Sequence, residues 1–89
     1  MNDENELLLD SVFLELGSEQ RRLIIFSLNE KTQRLSKLST ELNMTIQEAH
    51  RHVSRLESIG LIQHDAGNVL KLTPYGKTIV NLIPSFQFL

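Results

Sequence analysis

The residues best suited to do chemistry lie between Thr45 and Gly60, in the stretch TIQEAHRHVSRLESIG. At about 100° per residue, Ile46, Ala49, Val53, Leu56 and Ile59 fall on one broad apolar face. Gln47, Arg51, Ser54 and Ser58 fall opposite, with His50 and Arg55 on the flanks. The polar face carries hydrogen-bonding groups, positive charge and no acid, since Glu48 and Glu57 both sit off its centre. Such a surface suits the edge of a nucleic acid. Thr45 and Glu48 have the spacing of a capping box, and Gly60 supplies the left-handed residue that commonly ends a helix.

Other chemistries find less support. His50 and His52 are two residues apart, so on a helix they point about 200° from each other and cannot chelate one ion. His52 lies at the edge of the apolar face, where a hydrogen-bonded boundary role fits it, and no acid cluster accompanies His64. With no cysteine and no paired ligands, no metal site and no cofactor is expected. There is no glycine-rich phosphate loop, no nucleophile with an evident base and no paired carboxylates, so the chain does not read as an enzyme.

The elements that must position the polar face can be read in order. Asn2 or Asp3 caps a first helix running to about Leu16, with Gly17 as its stop. Leu8, Leu9, Val12, Phe13 and Leu16 form its core-facing side, while Leu7 and Leu14 make a second stripe on nearly the opposite side, suited to another subunit. Ser18 caps a helix from Glu19 to about Asn29, whose Leu23, Ile24, Ile25, Phe26 and Leu28 place it in mid-core. Arg21 and Arg22, in its first turn, are candidates to meet acids of the first helix or a phosphate. Glu30 to Gln33 is a polar break. Ser36 then caps a two-turn helix through Leu42, with Leu38 and Leu42 inward. Asn43-Met44 makes the turn into the helix at Thr45, and the pair reads as a helix-turn-helix.

After Gly60 the period changes to two. Leu61–His64 and Val69–Leu72 read as strands joined by Asp65-Ala66-Gly67-Asn68, a β-hairpin. Thr73-Pro74 is a strong helix start, and Tyr75, Ile79, Leu82 and Ile83 follow at helical spacing until Pro84 stops or kinks the helix. The end, Ser85-Phe86-Gln87-Phe88-Leu89, is apolar and uncharged, so it either packs into something or continues into a longer protein. The fold class is mainly α with a small β-hairpin (α+β). It spans one domain over 1–89, with 1–17 as an N-terminal helix, 18–73 as the helix-turn-helix and hairpin, and 74–89 as the last helix and tail.

Bulk properties agree with one small domain. The 89 residues are 40% apolar, and the absence of cysteine fits a reducing, cytoplasmic setting. No apolar run is long enough to span a membrane, and the acidic start MNDENE argues against a secretory or transit signal. The net charge of −2 is unevenly spread. Residues 1–20 hold six acids and no Lys or Arg, whereas residues 21–89 hold nine Lys or Arg against five acids, a net of +4. Nucleic-acid contact and a merely solvated acidic first helix both fit that asymmetry.

The order helix, helix, helix-turn-helix, hairpin, helix resembles a winged helix-turn-helix domain. LSKLSTELNMTIQEAHRHVSRLESIGLIQHD is similar to the core of prokaryotic transcriptional regulators of the ArsR/MarR type, especially archaeal ones, and VLKLTPYGKTIV to their strand and following helix. The RLESIGLI junction and the LTPYGK helix start are its most specific parts.

The resemblance implies a homodimeric regulator of transcription that binds double-stranded DNA, with helix 46–59 in the major groove. Gln47, His50, Arg51 and Ser54 would read bases, Arg51 pairing with guanine and Gln47 with adenine. Ser36, Lys37, Thr45 and Arg55 would touch phosphates, with His64 and Lys71 the basic candidates at the strand bases. Leu7, Leu14, Ile79, Leu82, Ile83, Phe86 and Phe88 would form the dimer surfaces.

No small-molecule effector is evident. The wing tip, Asp65 to Asn68, departs from the pattern: it has no Arg or Lys, on which minor-groove insertion depends. The competing reading is a winged-helix module that binds protein instead of DNA, which the acidic balance and neutral wing favour.

Overall fold

The computed structural model describes residues 3–83, with side chains described from Leu8 onward. Leu7 therefore contributes only its helical backbone here, and Pro84, Phe86 and Phe88 lie outside the described residues.

Five helices and a three-stranded sheet follow in the order α1 (Asp3–Leu16), α2 (Glu19–Glu30), β1 (Gln33–Arg34), α3 (Leu35–Glu41), α4 (Ile46–Ser58), β2 (Ile62–Asp65), β3 (Val69–Leu72) and α5 (Pro74–Leu82). Each boundary has a local cause. Ser18 caps α2 by accepting from the Arg21 N–H at 3.3 Å. At α4 both bonds of the capping box form: Glu48 N donates to Thr45 Oγ1 at 3.0 Å, and Thr45 N donates to Glu48 Oε1 at 3.2 Å. Asn43, at φ +58°, makes the left-handed corner between α3 and α4, and Gly60, at φ +81°, ends α4.

Sheet order is β1-β3-β2, antiparallel throughout. Ile62 stands opposite Leu72, and Gln33 opposite Leu70. The third strand, β1, replaces part of the expected polar break. Its Gln33 is buried and donates through Nε2 to Ser27 Oγ at 2.7 Å. This strand also moves the start of α3: Arg34, not Ser36, occupies the N-cap, without a side-chain bond. Ser36 lies inside the first turn, and its carbonyl accepts from Ser39 and Thr40 hydroxyls.

One core gathers Val12 and Leu16 of α1, Ile24, Ile25 and Leu28 of α2, Leu38 of α3 and Val53 and Leu56 of α4 with Leu61, Ile62, Leu70, Leu72, Ile79 and Val80. Three expected core residues of α1 are not in it: Leu8, Leu9 and Phe13 remain exposed, as do Leu23 of α2 and Ile46 of α4. Ile79 and Ile83, expected on a dimer surface, pack mainly into the chain's own core and keep 8% of their surface exposed.

The hairpin and α5 meet at one close approach. Thr73 caps α5, donating its hydroxyl to the Gly60 carbonyl and accepting from Gly76 N at 2.9 Å. The Leu61 carbonyl accepts from Thr73 N at 3.0 Å and lies where a side chain on Gly76 would begin. Backbone against backbone cannot yield as a flexible side chain would. Gly76→Ala should therefore destabilise the domain by about 1–3 kcal/mol, read as a lower urea midpoint with an unchanged slope; an unchanged midpoint would refute the close packing.

Candidate nucleic-acid interface

Helix α4 has two unlike sides. Ala49, His52, Val53 and Leu56 are buried, whereas Gln47, His50, Arg51 and Ser54 are exposed. Among the described residues, no side-chain hydrogen bond or ion pair engages any of these four, so their donors and acceptors are free for a ligand. The short α3 packs against α4, and its Ser36 and Lys37 are also exposed. Ser36, Lys37, Lys31 and Thr40, together with Glu41, line a shallow depression beside the helix-turn-helix. Thr45 Oγ1 is exposed but serves the cap, and its backbone N–H, donating to Glu48, holds that carboxyl below its ordinary range.

The remaining expected phosphate contacts have internal partners. Arg55 grips Glu15 with two bonds, Nε to Oε1 at 2.7 Å and Nη2 to Oε2 at 3.2 Å. His64 Nδ1 lies 2.7 Å from Glu57 Oε2, and Lys71 Nζ lies 3.1 Å from Asp65 Oδ2. Each of these three groups can reach an anion only by sharing or leaving a carboxylate.

Glu15 is the residue that sequence reasoning missed. It is only 8% exposed and lies where α1, α2 and α4 meet. Arg21 Nε donates to the Glu15 carbonyl at 2.6 Å and stands 3.4 Å from its carboxylate. Arg21 Nη1 lies 3.1 Å from His52 Nδ1. Because a guanidinium only donates, Nδ1 must accept, which leaves the ring proton on Nε2, an atom without a partner among the described residues. Arg22 instead caps the end of α1, donating to the Leu16 carbonyl at 2.7 Å. The signal for Glu15 was its place three residues after Val12, on the buried side of α1. Counting it only as one acid in an acidic segment concealed that.

Away from α4, a groove of about 690 Å³ runs between α1 and α5, lined by Leu9, Val12, Phe13, Leu16, Ile79, Leu82 and Ile83 with Gly17 and Arg22. Phe13 is 64% exposed, and Leu82 is 71% exposed. Leu14, on another side of α1, is 70% exposed. Among the described residues, no helix is long and apolar enough to cross a membrane, and no three metal-ligating side chains cluster.

Comparison with solved structures identifies the architecture. HlyU from Vibrio cholerae superposes with a TM-score of 0.79 at 19% identity, over 96% of this chain and 97% of that one. Quinone-bound YodB from B. subtilis gives 0.79 at 20% identity, over 89% and 90%. The homodimeric winged helix-turn-helix DNA-binding domain Mb0332 from Mycobacterium bovis, a possible ArsR-family regulator, gives 0.78 at 19% identity, over 98% and 87%. At this identity the likeness establishes the fold, a winged helix-turn-helix. These three neighbours are bacterial and lend no support to the archaeal likeness. No family model matches the sequence, and no curated protein matches it.

The Glu15 cluster makes stability depend on pH. Arg55's hydrogen bonds, aided by the charges of Arg55 and Arg21, outweigh burial and hold Glu15 below its ordinary 4.5. Burial first, then the nearby positive charge of Arg21, Arg51 and Arg55 against the opposing pull of Glu48, hold His52 below its ordinary 6.5. In both cases the unfolded chain binds the proton more readily, so acid favours unfolding. The thermal midpoint should fall as pH drops below about 6.5 and again below about 4.5. His52→Gln should remove the upper stage alone, and a midpoint constant from pH 7 to 4 would contradict both assignments.

Proposed function

We propose that this protein is a transcriptional regulator that binds double-stranded DNA sequence-specifically as a homodimer. The observation that carries this reading is the exposed side of α4, acid-free at its centre and without internal partners at Gln47, His50, Arg51 and Ser54. In the proposal α4 enters the major groove. Arg51 offers the two parallel donors that match guanine, and Gln47 the donor and acceptor that match adenine. Ser36, Lys37 and Thr45 lie along the flanking phosphates. Arg55 holds α4 to α1 through Glu15 and meets phosphate with its remaining donors, while His64 and Lys71 contribute less because Glu57 and Asp65 offset them.

The α1/α5 groove is assigned to a second copy of the chain. Phe13 and Leu82 project from its rim, Ile79 and Ile83 form its floor, and Phe86 and Phe88 extend the same apolar character along the sequence. Leu14, exposed outside the groove, and Leu7, seven residues before it in sequence, would add a second contact. The likeness to a homodimeric winged helix-turn-helix domain supports this use. No effector and no catalytic step belong to the reading, and the protein works in the cytoplasm, where its DNA lies. A protein-binding winged helix is the second reading, favoured by the internal neutralisation of Arg55, His64 and Lys71.

Selection from a random duplex library at low salt separates the two readings. Enrichment of a two-fold site with half-sites about one helical turn apart is expected; no enrichment would leave the protein-binding module. On the selected duplex, Arg51→Ala should weaken binding by about 1–3 kcal/mol and relax preference at one base pair per half-site. Unchanged binding by both Arg51→Ala and Gln47→Ala would refute the reading. Leu82→Glu should shift a micromolar sample from dimer to monomer in sedimentation without unfolding it; a dimer that survives would move the interface elsewhere.

A further inference from the structure

The wing turn, Asp65 to Asn68, has no Lys or Arg of its own, but the third strand of the sheet brings one beside it. β1 is held by its ladder to β3, with Arg34 opposite Val69, and by the buried Gln33 beside it. Gln33 points inward and Arg34 outward, as alternation in a strand requires. The Arg34 side chain extends along the sheet to the wing turn. Its Nη2 lies 3.9 Å from the point where a side chain on Gly67 would begin.

That turn is tight, with Gly67 at φ +74° and Asn68 at φ +61°. Its one charge, Asp65, is held by Lys71 at 3.1 Å. Arg34 is exposed, and among the described residues no carboxylate pairs with it. A planar guanidinium that is weakly hydrated and carries five donors is the group best suited to phosphate edges and a narrow minor groove.

We infer that Arg34, a residue from before the helix-turn-helix, is the DNA-contacting cation of the wing. It would sit in the minor groove flanking the bases that α4 reads. The inference rests on the DNA-binding reading above. It also locates wing recognition in a residue outside the hairpin, carried there by strand pairing. Its backbone, fixed by β3 on one side and by the start of α3 on the other, keeps wing and helix-turn-helix in one geometry.

The test uses the duplex selected by the wild-type chain, with its flanks rebuilt as an A-tract or as G·C pairs and its core unchanged. Wild type should prefer the narrow-grooved A-tract flank. Arg34→Ala should lose that preference, bind roughly tenfold more weakly and reduce the salt slope by about one per protomer. It should keep wild-type discrimination within the core and, because Arg34 is exposed, a wild-type melting curve. Wild-type indifference to the flank, or full flank preference in Arg34→Ala, overturns the inference and leaves the role of α4 intact. Failure of the wild-type chain to select or bind any duplex at low salt instead overturns the DNA-binding reading and this inference with it.

Discussion

Everything in this fold depends on α4 being buried along one side only. Thirteen residues must fill part of a small core and also present a free polar surface. Helical periodicity reconciles the two demands. Ala49, His52, Val53 and Leu56 fall inward against the rest of the core, and the 3.6-residue period leaves Gln47, His50, Arg51 and Ser54 outside. The capping box at Thr45 and Glu48 fixes where the helix begins, because it satisfies backbone donors of its first turn. Had the helix started one residue later, its phase would be unchanged, but its first turn would lose those bonds.

Glu15 gives the arrangement its second constraint. A carboxylate buried among apolar helices is costly unless ionic and hydrogen-bonding partners compensate it. Here Arg55 supplies a two-point grip from α4 and Arg21 a further charge from α2. The pair is mixed in character: Glu15 is nearly buried, whereas the Arg55 side chain is half exposed, so solvent screens part of the attraction. Its value lies more in direction than in strength. It joins the helix that lines the apolar groove to the helix that carries Gln47 and Arg51, so a second copy seated in the groove and a ligand on α4 would bear on the same contact.

Local signals were strong where the backbone itself is at stake. The limits of α4, the left-handed Asn43 and Gly60, and the Thr73-Pro74 start of α5 follow from capping, turn chemistry and period, all of which act within a few residues. The outward positions of Gln47, His50, Arg51 and Ser54 follow from period as well. What required tertiary structure was of another kind. Gln33-Arg34 is two polar residues long and becomes a strand only because β3 lies beside it. Apolar spacing marked Leu9, Phe13, Ile79 and Leu82 as faces that want cover, but it could not tell that Ile79 is covered by this chain while Phe13 and Leu82 are not. The partners of Arg55 and His52 lie 40 and 31 residues away in sequence, beyond the reach of any local pattern.

The central claim, that α4 presents its Gln47–Ser54 side to DNA, is tested most directly by titrating the isotope-labelled chain with duplex DNA and following its backbone amides by NMR at low and then raised salt. The largest shifts are expected to gather between Thr45 and Ser54, with a second group from Gln33 to Lys37 and at the wing turn, and to recede as salt rises. Shifts confined to the α1/α5 groove, or no shifts at low salt, would contradict that claim.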